Sequence, residues 1–578
     1  MAWYEEAVFY HIYPLGLSGA PKENLYGEPV HRLADMKVWI DHIKECGFNA
    51  IYIGPLFESV GHGYETTDYK KLDSRLGDNA DLKDFVATCH EKGIRVIFDG
   101  VFNHTGRDFF AFKDIKENRE NSRYRDWYCN VNFWGNNEYN DGFSYDNWGG
   151  YNLLVKLNQR NPEVRDYICD VIRFWVSEFD VDGIRLDAAD VLDFDFMKAL
   201  RQVANEVKPE FWLMGEVIHG DYNRWANADT LHSVTNYHLH KALYSGHNDH
   251  NYFEIAHTVK RLNDMGGLKL YNFTDNHDVE RIYTKLSNKK HFAPAHILSY
   301  TLPGVPSMYY GSEFGIEGRK ERWSDDSLRP ELHYEDYKDA IRNNQCTALI
   351  ARLGKVRQEV KALSYGDYRE LMLTNRQYAF SRNHNGMSVV VTVNNDDSDF
   401  VMTVPAGDAA EYIGALSGEK VSVVNGNIVV NVKANSGEIW VPYVKDMVAL
   451  DNPEVKINTV EINPTSMEFA TEEKFEEENH EEVTSVVNEE VSGEEVLGTI
   501  VPEPQELQTE DIVIDVETEI MEKIKVAREK AFEEGKIAGL QEAIIARMER
   551  NGHVTDQMRN DVYNQTHIPS LINWVKSF

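Results

Sequence analysis

In the stretch "GIRLDAADVLD", residues 183–193, an apolar strand runs directly into Arg185, Asp187, Asp190 and Asp193. Burying an unpaired charge is costly, so such a cluster is either the solvated start of a helix or a functional site. Asp193 and Asp195 suit the first reading, because acids favour the first turn of a helix. Asp187 suits the second, since Asp99, Asp187, Glu216 and Asp278 each fall at the end of a strand-like apolar run. Carboxylates gathered at one end of a set of strands form a catalytic rim.

The elements that must position them are legible in the same region. Eight strand signals alternate with helix-length stretches over the first 315 residues: "VFYHIYP", "NAIYIGPLF", "IRVIFDGVF", "VDGIRLD", "FWLMGEV", "HSVTNY", "KLYNFTD" and "PSMYYGS". Between them lie amphipathic runs such as "NADLKDFVATCHEKG", where Leu82, Phe85, Val86 and Cys89 share a face and Gly93 ends the helix. Eight strand–helix units predict a closed (β/α)8 barrel, an α/β fold whose active site sits on the loops after the strands. A barrel of about 250 residues allots roughly 30 to each unit. Glu216 follows Asp187 by 29 residues and Asp278 follows Glu216 by 62, one unit and two. Asp99 precedes Asp187 by 88, so an extra subdomain must leave the barrel after the third strand, over residues 105–157. Its rings are Trp127, Tyr128, Phe133, Trp134, Tyr139, Phe143, Tyr145, Trp148 and Tyr151. Most are expected in its own core, although flat rings among Asn and Asp also suit sugar faces.

Composition bounds the rest. The chain has 578 residues, 42% of them hydrophobic and 12% aromatic, enough for several domains and a large core. A net charge of -35 argues against a nucleic-acid partner, which needs a basic face. About 19 acidic residues and one lysine lie between Pro464 and Ile520, a segment read as an acidic linker. Five cysteines without paired spacing suggest neither a disulfide framework nor a zinc site, and Cys89 and Cys169 look like core thiols. The N-terminus lacks a basic leader and no stretch has the roughly 18 apolar residues of a membrane span, so a cytoplasmic location is expected. The domains are then a barrel over residues 1–104 and 158–362, the insertion at 105–157, an antiparallel β-sandwich at 363–445, the linker at 446–520 and a helical tail at 521–578. The tail has a modest apolar stripe (Ile524, Ala527, Ala531, Ala538, Ile545, Met548) that would gain by packing on another chain, so an oligomer through this helix is an open option.

Four motifs, "DGVFNH" (99–104), "GIRLDAAD" (183–190), "GEV" (215–217) and "FTDNHD" (273–278), stand in the order of the α-amylase family of glycoside hydrolases, which this sequence resembles over about residues 1–445. "HGYETTDY" (62–69) and "LVKLN" (154–158) extend the match. The resemblance implies a barrel with an inserted domain B, a C-terminal β-sandwich, and retaining cleavage of α-glucosidic bonds. A retaining enzyme needs a nucleophilic carboxylate and, about 5 Å away, a second that serves as acid and then base. By motif, Asp187 is the nucleophile, Glu216 the acid/base and Asp278 the third acid, which stabilises the oxocarbenium-like transition state. Arg185, two residues before Asp187 and on the same side of its strand, is expected to keep Asp187 ionised. His104 and His277 would hydrogen-bond the same sugar, Tyr64 would stack beneath it, and Asp99 and Asn103 would support the site.

The pattern departs at Asp190 and Val191, where typical α-amylases carry a Lys-His pair on the leaving-group side of the cleft. The departure favours relatives acting on short or cyclic substrates, and "SRYRDWY" (122–128) with "LVKLN" is similar to the neopullulanase, cyclomaltodextrinase and maltogenic amylase group. That group's N-terminal dimerisation domain is expected to be missing, because the first strand begins near Val8. Ala188 and Ala189 after the nucleophile resemble α-1,4-acting relatives, and Gly61-His62-Gly63-Tyr64 resembles endo-acting ones. No obligatory cofactor is expected, with Asn103 a candidate calcium ligand because its position ligates calcium in many relatives. The expected function is hydrolysis of α-1,4 bonds in maltooligosaccharides or cyclodextrins. The alternatives are a transglycosidase or isomerase of the same family, such as a trehalose-forming one, or a glucan-binding protein without catalysis.

Overall fold

The computed structural model describes residues 2–322 and 324–443, so the acidic linker and helical tail lie outside the described residues. Eight strands form one parallel sheet: β1 (Phe9–Ile12), β2 (Ala50–Ile53), β3 (Arg95–Gly100), β4 (Gly183–Leu186), β5 (Trp212–Gly215), β6 (Ser233–Val234), β7 (Tyr271–Phe273) and β8 (Val305–Tyr309). Their order is β6-β5-β4-β3-β2-β1-β8-β7. A parallel bridge from Thr235 to Tyr271 joins the two edges, and the Asn236 N–H donates to the Tyr271 carbonyl at 2.9 Å. The sheet therefore closes into the expected barrel, which leaves no exposed edge.

Period-two alternation decides which side chains face the axis. Phe9, Ala50, Tyr52, Ile97, Trp212, Met214, Tyr271 and Phe273 point inward and pack together as the barrel core. Their neighbours Tyr10, Ile51, Ile53, Val96, Phe98, Ile184 and Leu186 point outward into the larger core beneath the helices. Gly183 opens β4 because a Cβ there would sit 2.5 Å from the Trp212 carbonyl oxygen and 3.0 Å from Ile97. The absent side chain permits the close approach of the Trp212 carbonyl oxygen and Cβ. The same alternation carries polar side chains one layer higher: Asp99 and Arg185 are register partners on β3 and β4, and Met214 pairs with Arg185 from β5.

Two segments leave the barrel before β4. A hairpin of Phe57–Ser59 with Thr66–Leu72, not anticipated from sequence, follows β2 and carries Tyr64 in its turn. After β3, an excursion begins at the strand His104–Thr105, which pairs with Tyr151–Lys156, itself paired with Asn147–Trp148. Trp127, Tyr128, Phe143 and Tyr145 are buried in that excursion, while Trp134, Tyr139, Trp148 and Tyr151 stay exposed. Its rings thus divide between a small core and a surface.

Beyond the barrel, β9 (Asp367–Leu373), β10 (Gln377–His384), β11 (Met387–Asn394), β12 (Phe400–Pro405), β13 (Glu411–Gly414), β14 (Lys420–Ser422), β15 (Asn427–Val432) and β16 (Ser436–Pro442) form two antiparallel sheets. The larger has the order β9-β10-β11-β16-β13-β14 and the smaller is β12-β15. Ala379, Val390, Tyr412 and Trp440 of one meet Met402, Val404, Ile428 and Val430 of the other in a single apolar cluster. Three of these strands, β9, β13 and β14, have too little alternation to be read from sequence.

All five cysteines are free thiols, with Cys89 and Cys169 buried as expected. Among the described residues, no helix is long and apolar enough to cross a membrane.

Candidate active site

At the C-terminal ends of β3, β4 and β5, one guanidinium serves three carboxylates. Arg185 Nη1 lies 2.8 Å from Asp99 Oδ1 and 2.9 Å from Asp187 Oδ1, and its Nη2 lies 2.8 Å from Glu216 Oε2. Asp99 also accepts from the Tyr52 hydroxyl at 2.8 Å and the Tyr64 hydroxyl at 3.1 Å. Glu216 Oε2 takes a second bond, from the Ala188 N–H at 3.0 Å. Ala188 makes that bond in a left-handed conformation, φ 45° and ψ 44°, a costly one for a residue with a Cβ. Strain at the residue after Asp187 is thus spent on holding Glu216. Tyr237, which accepts from the Asn276 amide at 3.2 Å, directs its hydroxyl toward Glu216 Oε1 at 3.5 Å.

Asp278 arrives from the loop after β7, where Asn276 Oδ1 accepts from the N–H groups of Asp278 and Val279 at 2.9 and 3.1 Å. It is 3.0 Å from His277 Nε2 and accepts from Arg329 Nη2 at 2.9 Å. Arg329 also donates to the His277 carbonyl at 3.0 Å, pinning the loop from the far side. His277 is stacked against Tyr64, with rings 5.6 Å apart and 10° from parallel. His104 Nε2 reaches the Tyr64 carbonyl at 3.1 Å.

Exposure separates the four acids by what they can touch. The Asp99 side chain is 0% exposed, against 12% for Asp187, 14% for Glu216 and 36% for Asp278. Asp99 can only hold Arg185, Tyr52 and Tyr64 in place; the other three can meet a bound molecule.

Burial and crowding have an electrostatic consequence that the sequence did not reveal. Arg185 favours the ionised form of Asp187, as expected, but burial and the two neighbouring acids outweigh it. Burial pushes the Asp187 carboxyl well above the usual range, Arg185 pulls the other way, and Glu216 and Asp99 push it up further. Arg185 itself is buried, which opposes its charge, yet Asp99 and then Glu216 hold it firmly protonated. Asp278 is the opposite case: burial opposes its charge, but His277, then Arg329 and Arg185, hold its carboxyl well below the usual range. Burial lowers His104 to about 3, so its imidazole is neutral at ordinary pH.

The structure brings Asp99, Asp187, Glu216, Asp278, Arg185, Tyr64, His104 and His277 to one end of the barrel. Asp193 is the N-cap of helix Phe194–Val207, accepting from the N–H groups of Asp195 and Phe196, which is the bland role expected of it. Tyr52, Tyr237, Asn276 and Arg329 were missed. Tyr52 was legible, since period two in β2 points it at the axis; Arg329, in a loop remote in sequence, carried no signal.

Asn103 is the one residue that invited calcium. Its Oδ1 is buried without a partner, while its Nδ2 is 3.2 Å from His104 Nδ1. One orphaned amide oxygen does not fit a calcium ion, which takes six to eight oxygens, usually with carboxylates among them. Among the described residues, the group of acids and histidines with metal-like spacing is His31, Asp78 and Asp81, away from Asn103 and largely exposed.

Volume alone would point elsewhere. A cavity of about 780 Å³, lined by Lys156, Gln159, Asp190, Asp193 and Arg224 among others, lies where the 104–157 excursion meets the barrel. None of Asp187, Glu216 or Asp278 lines it, and the convergence of acids on Arg185 marks the site better than the larger space does.

Fold and site together define a (β/α)8-barrel enzyme with a carboxylate centre at the C-terminal rim. Residues 35–354 match the alpha-amylase family, described as alpha amylase, catalytic domain, and the chain belongs to that family of glycosidases. It is 31% identical over 439 residues to a cyclomaltodextrinase of Thermoanaerobacter pseudethanolicus, covering 71% of this chain and 74% of that one. To neopullulanase 2 of Thermoactinomyces vulgaris it is 30% identical over 468 residues, covering 76% and 78%. A solved cyclomaltodextrinase structure superposes with a TM-score of 0.68 at 26% identity, covering 76% of this chain and 78% of that one.

Proposed function

We propose that the protein is a retaining hydrolase of α-1,4-glucosidic bonds in maltooligosaccharides and cyclodextrins. The observation that carries this reading is the sharing of Arg185 by Asp187 and Glu216. Bonding both acids to the two ends of one guanidinium sets them side by side, as in the close pair (about 5 Å) of a retaining enzyme rather than the pair separated by a water. The names of the relatives above supply the substrate class.

A retaining mechanism begins with one of the two acids ionised and the other carrying a proton. Positive charge developing at the anomeric carbon favours the ionised form of Asp187, leaving that proton to Glu216. Arg185 and the Ala188 N–H occupy Glu216 Oε2, so Oε1, beside the Tyr237 hydroxyl, delivers it to the glycosidic oxygen. Asp187 then bonds the anomeric carbon as the leaving chain departs. In the second half, Glu216 takes a proton from water, the water oxygen displaces Asp187, and the product keeps the α configuration. Asp278, held ionised, stabilises the cationic character of the sugar between these steps, while His277 and Tyr64 orient it and His104 supports Tyr64 through its carbonyl.

Glu216→Gln tests the assignment. Turnover of maltoheptaose should fall by at least about a hundredfold, but much less for an aryl glycoside whose leaving group needs little protonation. Equal losses on both substrates would refute the role of Glu216, and an initial β-product by NMR would refute retention.

Three smaller points belong to this reading. The enzyme works without calcium, since the surroundings of Asn103 do not fit the ion. It resides in the cytoplasm, in keeping with five unpaired thiols. An oligomer through the helix expected from sequence at residues 521–578 is part of this reading, to be decided by light scattering on full-length and truncated chains.

A further inference from the structure

Beside the carboxylates lies a second, very small space of about 10 Å³, lined by His11, Arg185, Glu216, Tyr237, Asn276 and His277 among others. Two of these residues each carry a ring nitrogen, His11 Nε2 and His277 Nδ1, that is buried without a hydrogen-bond partner. Both residues are nearly inaccessible, at 3% and 2% exposure. The rings meet edge to face, 5.2 Å apart and 87° between planes, and His11 is fixed from behind by stacking on Tyr52 at 4.1 Å. Burying two polar nitrogens unpaired in this way is expensive, and a space this size is about the least that admits one water. The mechanism above gives His11 no task.

We propose that His11 is a positioning residue that acts on His277 through a single enclosed water. His11 Nε2–H donates to the water, and the water donates to His277 Nδ1, with Tyr237 and Asn276 on the same wall as further polar partners. An accepting Nδ1 places the His277 proton on Nε2, the nitrogen 3.0 Å from Asp278 Oδ2 and bonded to the Tyr64 hydroxyl. The water thus selects the tautomer in which His277 donates to Asp278 and holds it toward the sugar. Were the proton on Nδ1 instead, Nε2 would face the carboxylate with a lone pair and repel it. Burial above all keeps His11 neutral, as a donor with one proton to direct must be.

This inference rests on the proposed hydrolysis, and its test separates the two. His11→Phe keeps the stacking on Tyr52 and loses the nitrogens, whereas His11→Gln restores a donor. His11→Phe should lower kcat on maltoheptaose by about 10–100-fold with KM changed less than about twofold, and His11→Gln should recover most of the loss. A high-resolution crystal structure of the unaltered enzyme should show one ordered water between the two rings. Unchanged kcat in His11→Phe, equal losses in both variants, or a dry space between the rings would overturn the proposal. If His11→Phe does not fold, His11→Gln kinetics and the crystal density decide. An unaltered enzyme inactive on every α-glucan would instead sink the functional reading, leaving the density to judge the water.

Discussion

Asp182, immediately before β4 at the opposite end of the barrel from the acids, offers a test of what that end is for. Its side chain is 1% exposed and accepts from the Val96 N–H at 2.9 Å, from Arg95 Nη1 at 2.9 Å and from Lys208 Nζ at 2.9 Å, with His90 Nε2 at 2.7 Å. Burial opposes its charge, but His90, Lys208 and the Val96 N–H together bring its pKa from 3.8 down to about 2. That difference corresponds to about 2.5 kcal/mol of stability at neutral pH. Because the folded-state value is the lower one, the contribution is complete above about pH 5, about half remains at pH 3, and it vanishes as the pH falls through 2. Asp182→Asn keeps the shape and removes the charge. Arg95 is 48% exposed and Lys208 20%, so both can recover water, and the cost should stay near 2–3 kcal/mol rather than reach the roughly 3–5 of a stranded buried pair. Guanidinium unfolding followed by circular dichroism at pH 7 and pH 3 measures the two values, alongside kcat on maltoheptaose, which should stay within about twofold. A cost that does not shrink with acid, or a large fall in kcat with the fold intact, would refute this account.

Maltooligosaccharides should be hydrolysed faster than isomaltose or sucrose in parallel assays of kcat/KM, given Ala188 and Ala189 after the nucleophile; a strong preference for isomaltose would defeat that reading. Truncation after Tyr443 should leave maltoheptaose turnover within about twofold, since none of the site residues lies beyond it. The cut belongs after Tyr443 rather than Pro442, because the Tyr443 N–H donates to Glu411 at 2.8 Å and its ring lies under Lys420 at 3.9 Å. Dialysis against a chelator should leave both activity and melting temperature unchanged, and a fall in either that calcium restores would show that Asn103 belongs to a metal site after all.

The barrel strands and the acids were legible in the sequence because both obey short-range rules. Period two in "GIRLD" places Arg185 and Asp187 on one side of β4, strand ends at regular spacing put Glu216 and Asp278 on the same rim, and Asp99 joins them once the inserted segment is allowed for. The capping role of Asp193 was equally local. By itself, then, the sequence determined which residues stand at the rim and which chemistry they suit. It did not determine how their charges are shared, since that depends on distances between strands far apart in the chain. Only the closed barrel joins Arg185 to Asp99 and Glu216 as well as Asp187 and buries them together, so that burial and the neighbouring acids outweigh the expected pull of Arg185 on Asp187. The tertiary structure likewise brought Arg329 to Asp278 from a loop without a motif, and set His11 on β1 against His277 after β7. Hydrophobic periodicity is written residue by residue, but a shared charge or an enclosed space belongs to the whole barrel and exists only once its edges have met.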